Sequence, residues 1–98
     1  MNDFLIDRIS KAIENNNDLI LESSLKLDYT NQKIIWDNSK YYIKNIKIDH
    51  IIKEIKEYVN QKKKNFIRLS INNMSKNIDW FFVNLPWDII DSEKIGTD

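Results

Sequence analysis

Cysteine is absent from this 98-residue sequence, and glycine, proline and histidine each occur once. Without cysteine the chain can form neither disulfides nor thiolate metal sites, which suits a reducing compartment, so we predict a cytoplasmic protein. Phosphate-cradling loops need several glycines, and Gly96 is the only one. Nucleotide-binding fingerprints are therefore excluded.

Long apolar runs are also missing. The longest uninterrupted one is Trp80–Val83, whereas a membrane span needs about 20 residues. Near the N-terminus, charged residues interrupt the apolar ones, so we expect no signal-peptide core there. These charged residues are Asp3, Asp7, Arg8 and Lys11.

The inventory for catalysis is sparse. The one histidine, His50, falls at the start of a predicted helix, one turn before Glu54. Together they offer two metal ligands, but no third is suggested, so we predict no metal site and no cofactor. The carboxylate pairs Glu54/Glu57 and Asp88/Asp91 are more simply explained as solvated helix faces than as an acid–base pair, which needs a buried carboxyl. We predict that the chain is not an enzyme.

Charge is balanced overall but unevenly distributed. Residues 40–76 carry a net +7, whereas residues 1–30 carry −3 and residues 77–98 carry −4. The basic stretch KKKNFIRLS (62–70) is the best candidate for nucleic-acid binding, with lysines for phosphates and an aromatic ring for base stacking. The alternative is a helix end capped by lysines. The candidate nucleic-acid residues are Lys62, Lys63, Lys64, Phe66 and Arg68.

Hydrophobic periodicity predicts two amphipathic helices. The first is capped by Asn2 or Asp3 and stops at the asparagines 15–17. The second has Asp49 as its N-cap and ends in the basic run 61–65. A short last helix is predicted over 88–95.

Alternating residues predict strands between and after the helices. We expect them at 19–29, 33–37, 40–46, 66–72 and 79–85, with a loop at 73–77. The order α-β-β-β-α-β-β predicts an α+β fold with a mostly antiparallel sheet of about five strands and helices on one face. We expect one domain over residues 1–98, whose last few residues can be disordered.

The stretch IDWFFVNLPWDII (78–90) is the most apolar part of the chain. Its strand has apolar side chains on both faces, whereas its predicted hairpin partner, 66–72, is apolar on one face only. Opposed residues share a face, so either Trp80/Phe82 or Phe81/Val83 must lie beside Arg68 on a polar face. Two explanations stay open: residues 86–90 cover this aromatic island, or a partner or second copy does. The predicted partner-binding residues are Arg68, Trp80, Phe81, Phe82, Val83, Trp87 and Asp88.

A protein-binding module is the leading hypothesis for function. Its concrete form is a small inhibitor from a conflict system, either an immunity protein that neutralises a toxin or a phage protein that blocks a host defence. Small size, a codon bias of an AT-rich genome and aromatic residues beside charges favour it, and the partner would be a toxin, effector or defence component. The element order also resembles that of type III secretion chaperones, which implies a dimeric peptide binder. Nucleic-acid binding is the rival.

Overall fold

The computed structural model describes residues 3–63 and 65–83 of the chain. The predicted order of two helices and five strands is confirmed. The elements are α1 (Asp3–Glu14), β1 (Asp18–Asp28), β2 (Lys33–Trp36), β3 (Tyr41–Tyr42), α2 (Ile48–Gln61), β4 (Ile67–Asn73) and β5 (Lys76–Phe82). The last helix predicted over 88–95 lies outside the described residues.

Asparagines end α1 as the sequence predicts. Asn16 takes a left-handed backbone conformation with φ 55°, which asparagine tolerates better than most residues. Its amide donates to the carbonyl of Ile13 at 3.1 Å, and the amide of Asn17 donates to that of Ala12 at 2.9 Å. These two bonds form a Schellman-type cap, which satisfies carbonyls that the helix end leaves open.

The start of α2 differs from the prediction. The N-cap is Lys47, which makes no side-chain capping bond, and Asp49 lies within the first turn. An acid in that position still interacts favourably with the positive end of the helix dipole. The predicted inward face is confirmed, since Ile51, Ile52 and Ile55 are buried.

The sheet is antiparallel and is organised around β1. Its strand order is β2-β1-β4-β5, and β3 also pairs with β1. Because β4 occupies one edge of β1, β2 and β3 share the other edge, with β3 near the start of β1 and β2 near its end. One long strand therefore bonds to three others.

Strand β3 is much shorter than the predicted 40–46. It runs antiparallel to β1, with Tyr42 opposite Ile20, and the amide of Ile43 then donates to the carbonyl of Leu19 at 2.9 Å. Since β1 begins one residue earlier, at Asp18, residues after Ile43 have no strand left to pair with. Alternation alone could not reveal this limit, because it depends on where the partner strand begins.

The β4–β5 connection is tighter than the predicted loop at 73–77. Asn73 pairs with Lys76, and only Met74 and Ser75 lie between them. Both have positive φ, 51° and 70°, as in the type I′ turns whose twist suits a hairpin. Such turns favour Asn-Gly, so the Met-Ser sequence did not indicate this type of turn.

A β-bulge changes the faces of β1 that alternation predicts. Leu25 is an extra residue between the pairs Ser24↔Trp36 and Lys26↔Ile35. A bulge shifts the pleat by one residue, so Leu27, opposite Ile34, lies on the face of Ser24 rather than on the face of Leu19 and Leu21. The exposed fraction reflects this change: Leu25 is 64% and Leu27 37% exposed, whereas Leu21 is 0% exposed.

The hydrophobic core lies between the helices and one face of the sheet, as predicted. The sheet contributes alternate residues of β1, β4 and β5, and the helices contribute their apolar stripes. Its members are Leu5, Ile9, Ala12, Leu19, Leu21, Ile51, Ile52, Ile55, Ile67, Leu69, Ile71, Phe81 and Val83. Within the described ranges, both helices fall short of the length and apolar character that a bilayer crossing requires.

A substitution at Phe81 tests the assignment of this core. It is fully buried, so Phe81→Ala should lower the free energy of unfolding by about 3–5 kcal/mol. The matched control is Tyr29→Ala, because Tyr29 is 81% exposed and its loss should cost about 0.5 kcal/mol or less. Urea denaturation monitored by circular dichroism measures both. Equal losses in the two variants would contradict the core assignment.

Candidate functional site

The strand register resolves which aromatic pair lies on the polar face of the sheet. Arg68 is opposite Phe82, and Ser70 is opposite Trp80. Trp80 and Phe82 therefore lie on the side away from the helices, while Phe81 lies in the core. We call this side, with the rings of Trp36, Phe66, Trp80 and Phe82 around Arg68, the aromatic face.

Phe82 is the centre of the ring cluster. Its centroid is 5.3 Å from that of Trp80 in an edge-to-face arrangement, 6.0 Å from that of Phe66 and 6.2 Å from that of Trp36. These distances fall in the favourable range for aromatic pairs. Phe82 is 1% exposed, whereas Phe66 is 37% exposed and the two tryptophans are half-buried. The outer rings are thus the ones that can contact another molecule.

Arg68 lies among these rings. Its guanidinium carbon is 4.1 Å from the centroid of Trp36 and 5.7 Å from that of Trp80, within range for cation–π attraction. Arg68 also binds Glu22 through two bonds, Nε to Oε1 at 3.1 Å and Nη2 to Oε2 at 3.3 Å. The paired geometry fixes the plane of the guanidinium.

Glu22 is a buried carboxylate on the aromatic face. It is 6% exposed, and the hydroxyl of Ser70 donates to its Oε1 at 2.8 Å. Burial by itself would raise the pKa of Glu22, but the hydrogen bonds from Arg68 and Ser70 and the positive charges of Arg68 and Lys40 outweigh it. The pKa of Glu22 is therefore lowered, and the group stays ionised at neutral pH.

A concave polar region of about 350 Å³ adjoins the rings. It is open to solvent, and its charged side chains are two cations and the paired Glu22, a net charge of +1. It is lined by Glu22, Lys40, Arg68, Ser70, Asn72, Ser75, Asn77 and Trp80. This composition can hold an acidic group beside an aromatic or aliphatic one.

The predicted partner-binding residues divide into three groups. Arg68, Trp80 and Phe82 lie on the aromatic face. Phe81 and Val83 are 0% and 1% exposed in the core, so they support the sheet from behind and are not accessible for contact. Trp87 and Asp88 lie outside the described residues.

Four of the five candidate nucleic-acid residues are among the described residues. Lys62 and Lys63 are exposed just after α2, whereas Phe66 and Arg68 belong to the aromatic face, where Arg68 is paired with Glu22. Lys64 lies outside the described residues. His50 is exposed, and the part of the chain that the structure describes contains no group of three side chains suited to a metal ion.

Three important residues were missed by the sequence reasoning: Trp36, Glu22 and Lys40. The face of Trp36 depends on its register opposite Ser24, which lies beside the bulge. For Glu22 a signal existed, since it lies on the charged face of β1 as Arg68 does on β4. Opposite charges on facing strands are a common cross-strand pair.

A second concavity, of about 390 Å³, lies between α1 and the β4–β5 hairpin. Arg8 crosses it, with its guanidinium 4.2 Å from the ring centroid of Phe4 and an ion pair to Asp79. This ion pair joins α1 to the edge strand β5. We interpret it as a structural contact.

Comparisons with protein-family models, curated proteins and solved structures give no match. We therefore infer function from the geometry and chemistry of the aromatic face.

The Glu22–Arg68 pair predicts a specific acid dependence of stability. Because the pKa of Glu22 is below its usual 4.5 in the folded state, its contribution is complete above about pH 4.5 and is lost as the pH falls toward the folded pKa. Glu22→Gln should lower the free energy of unfolding at pH 7 by on the order of 2 kcal/mol. It should also reduce the further loss below pH 4.5. Urea denaturation across pH 3–7 measures both.

The double variant Glu22→Gln/Arg68→Met is the control for this prediction. It removes both charges, so it should be less destabilised than the sum of the two single variants. An unchanged acid dependence in Glu22→Gln would show that the pair contributes nothing to stability.

Proposed function

We propose that this chain is a non-enzymatic protein-binding module whose contact surface is the aromatic face. The observation that carries the proposal is Arg68 held between Trp36 and Trp80 on the side of the sheet away from both helices. Tryptophan and arginine are the residues most enriched among interface hot spots. Glu22 holds Arg68 in one orientation before any partner arrives, which reduces the entropy cost of binding.

The charges of the face indicate the chemistry of the partner. Lys40 and Arg68 outnumber Glu22 in the concave region, and the pairing of Arg68 with Glu22 leaves a net positive charge. A complementary partner presents acidic side chains beside aromatic or aliphatic ones. The aromatic rings would bind the apolar groups, and the cations would orient the acidic ones.

A conflict system is the setting that we propose for this partner. The chain would act as a small inhibitor, neutralising a toxin or effector or blocking a defence component by covering its functional surface. The lack of a catalytic inventory supports a role in binding, since His50 is exposed and the buried carboxylate of Glu22 is engaged by Arg68 and Ser70. Proteins encoded by neighbouring genes are the natural candidates for the target.

Substitutions on the aromatic face test the proposal. Each neighbouring gene product is titrated with the purified chain by calorimetry, and a toxic one is also co-expressed with it to measure recovery of growth. For the product that binds, Trp36→Ala and Trp80→Ala should each weaken binding by about 30-fold or more, because an anchor contributes about 2 kcal/mol or more.

Tyr41→Ala is the matched control. Tyr41 is 44% exposed, but it lies on the helix side, where its ring contacts Tyr58. Its loss should leave affinity unchanged, and melting temperatures are measured for all three variants. Binding that survives both tryptophan substitutions in folded protein, or no binding to any neighbouring gene product, would count against the proposal. A dimer that these substitutions dissociate would instead favour the secretion-chaperone-like alternative.

Nucleic-acid binding remains the second candidate, because an antiparallel sheet face with exposed rings can stack bases. The pairing of Arg68 with Glu22, which neutralises the charge of the guanidinium, weakens it. We therefore predict affinity for single-stranded RNA or DNA of only about 10⁻⁴–10⁻⁶ M at physiological salt. Fluorescence anisotropy with several sequences measures it. A sub-micromolar, sequence-selective complex that is lost on substituting Lys62–Lys64 by alanine would reverse the order of the two candidates.

A further inference from the structure

Some side chains are buried on the aromatic face although it lies away from both described helices. Ile20 lies on this face and is 2% exposed, and Ser70 beside it is 4% exposed. On its other side Ile20 is opposite Tyr42, which is itself 51% exposed. Both described helices pack on the opposite side of the sheet. Side chains on an uncovered sheet face stand in solvent, so the low exposure of Ile20 favours a further segment over this face.

The chain leaves the described structure beside this face. The amide of Val83 donates to the carbonyl of Ile67 at 3.0 Å, which places the end of β5 next to the ring of Phe82. Residues 84–98 follow. An extended chain advances about 3.3 Å per residue, whereas the four strands lie about 4.8 Å apart. Even half of these residues can therefore cross the whole sheet.

Residues 84–98 have the chemistry that the face requires. They contain four acids, Asp88, Asp91, Glu93 and Asp98, against one base, Lys94, a net charge of −3. Since the whole chain is neutral, residues 1–83 carry +3. The same segment contains the apolar side chains of Leu85, Trp87, Ile89 and Ile90. An acidic and apolar segment is thus joined to a body of opposite charge.

We propose that residues 84–98 occupy the aromatic face of their own chain, and that a partner must displace them to bind. The inference rests on the proposed function only in treating this face as a binding surface. The segment would compete with the partner for this face, because both present acidic and apolar side chains. Deleting the acids of the segment would then strengthen binding of the partner.

Spin labelling of the full-length chain tests the proposal directly. Because the chain has no cysteine, Ser92→Cys gives a single labelling site. Methyl and indole NMR signals are compared with the label oxidised and reduced. We expect selective broadening of Ile20 and Ile34 and of the indoles of Trp36 and Trp80. The methyl signals of Ile51 and Ile55, which lie on the helix side of the sheet, should be broadened much less.

Two controls complete the experiment. Trp87→Ala in the labelled chain should reduce the broadening of Ile20, because it removes the largest apolar group of the segment. Mixing isotope-labelled chain without a spin label with spin-labelled chain at natural abundance reports contacts between copies. Broadening only in that mixture would assign the face to a second copy and overturn the proposal. Uniform broadening, or none on the aromatic face, would also overturn it.

The spin-label result does not depend on any partner. It therefore tests the intramolecular contact separately from the proposed protein-binding function. Selective broadening, together with a failure of every candidate partner to bind, would refute the proposed function and leave residues 84–98 as the cover of the face. Partner binding at Trp36 and Trp80 without selective broadening would refute the intramolecular contact alone.

Discussion

The pairing of β1 with β4 is the constraint on which the rest of the structure depends. Six residues of β1, from Asp18 to Ser23, oppose six of β4 in an unbroken antiparallel register. This register places Leu19 and Leu21 with Leu69 and Ile71 under the helices, and Glu22 with Arg68 on the other side. A slip of one residue would exchange these sets and bring charges into the core. The core and the aromatic face are therefore specified together.

The ion pair on the aromatic face is costly by itself. Partly buried charges lose hydration, and a buried pair often contributes little net stability compared with apolar residues of the same shape. Here the carboxylate also accepts from Ser70, and the guanidinium lies on the ring of Trp36. These contacts compensate for lost water and hold Arg68 in one orientation. We attribute to this arrangement an ordered surface more than a gain in folding free energy.

The sequence predicted the helices and the core strands well, because their signals are local. Periodicity placed Ile51 and Ile55 inward and Leu69 on the buried face, and the asparagines marked the end of α1. For the site, the sequence predicted only that one of two aromatic pairs lies beside Arg68. Alternation assigns side chains to two faces of a strand, but it does not give the pairing register between strands. What failed was non-local: β3 is limited by where β1 begins, and the faces of Leu27 and Trp36 follow from one inserted residue. The last helix, predicted over 88–95, lies outside the described residues, so that part of the prediction stays untested.

The bulge at Leu25 has a genetic consequence. An extra residue in β1 places Leu27 on the face that Ser24, Ile34 and Trp36 share, while the pairing of residues 18–23 with β4 is untouched. Loss or gain of a single codon at this point would exchange the side chains shown at one end of the aromatic face without disturbing the buried layer. One small insertion or deletion would thus alter this surface. An insertion or deletion within β4 or β5 has no such freedom, because each of those strands also supplies the core and its inward residues would change face.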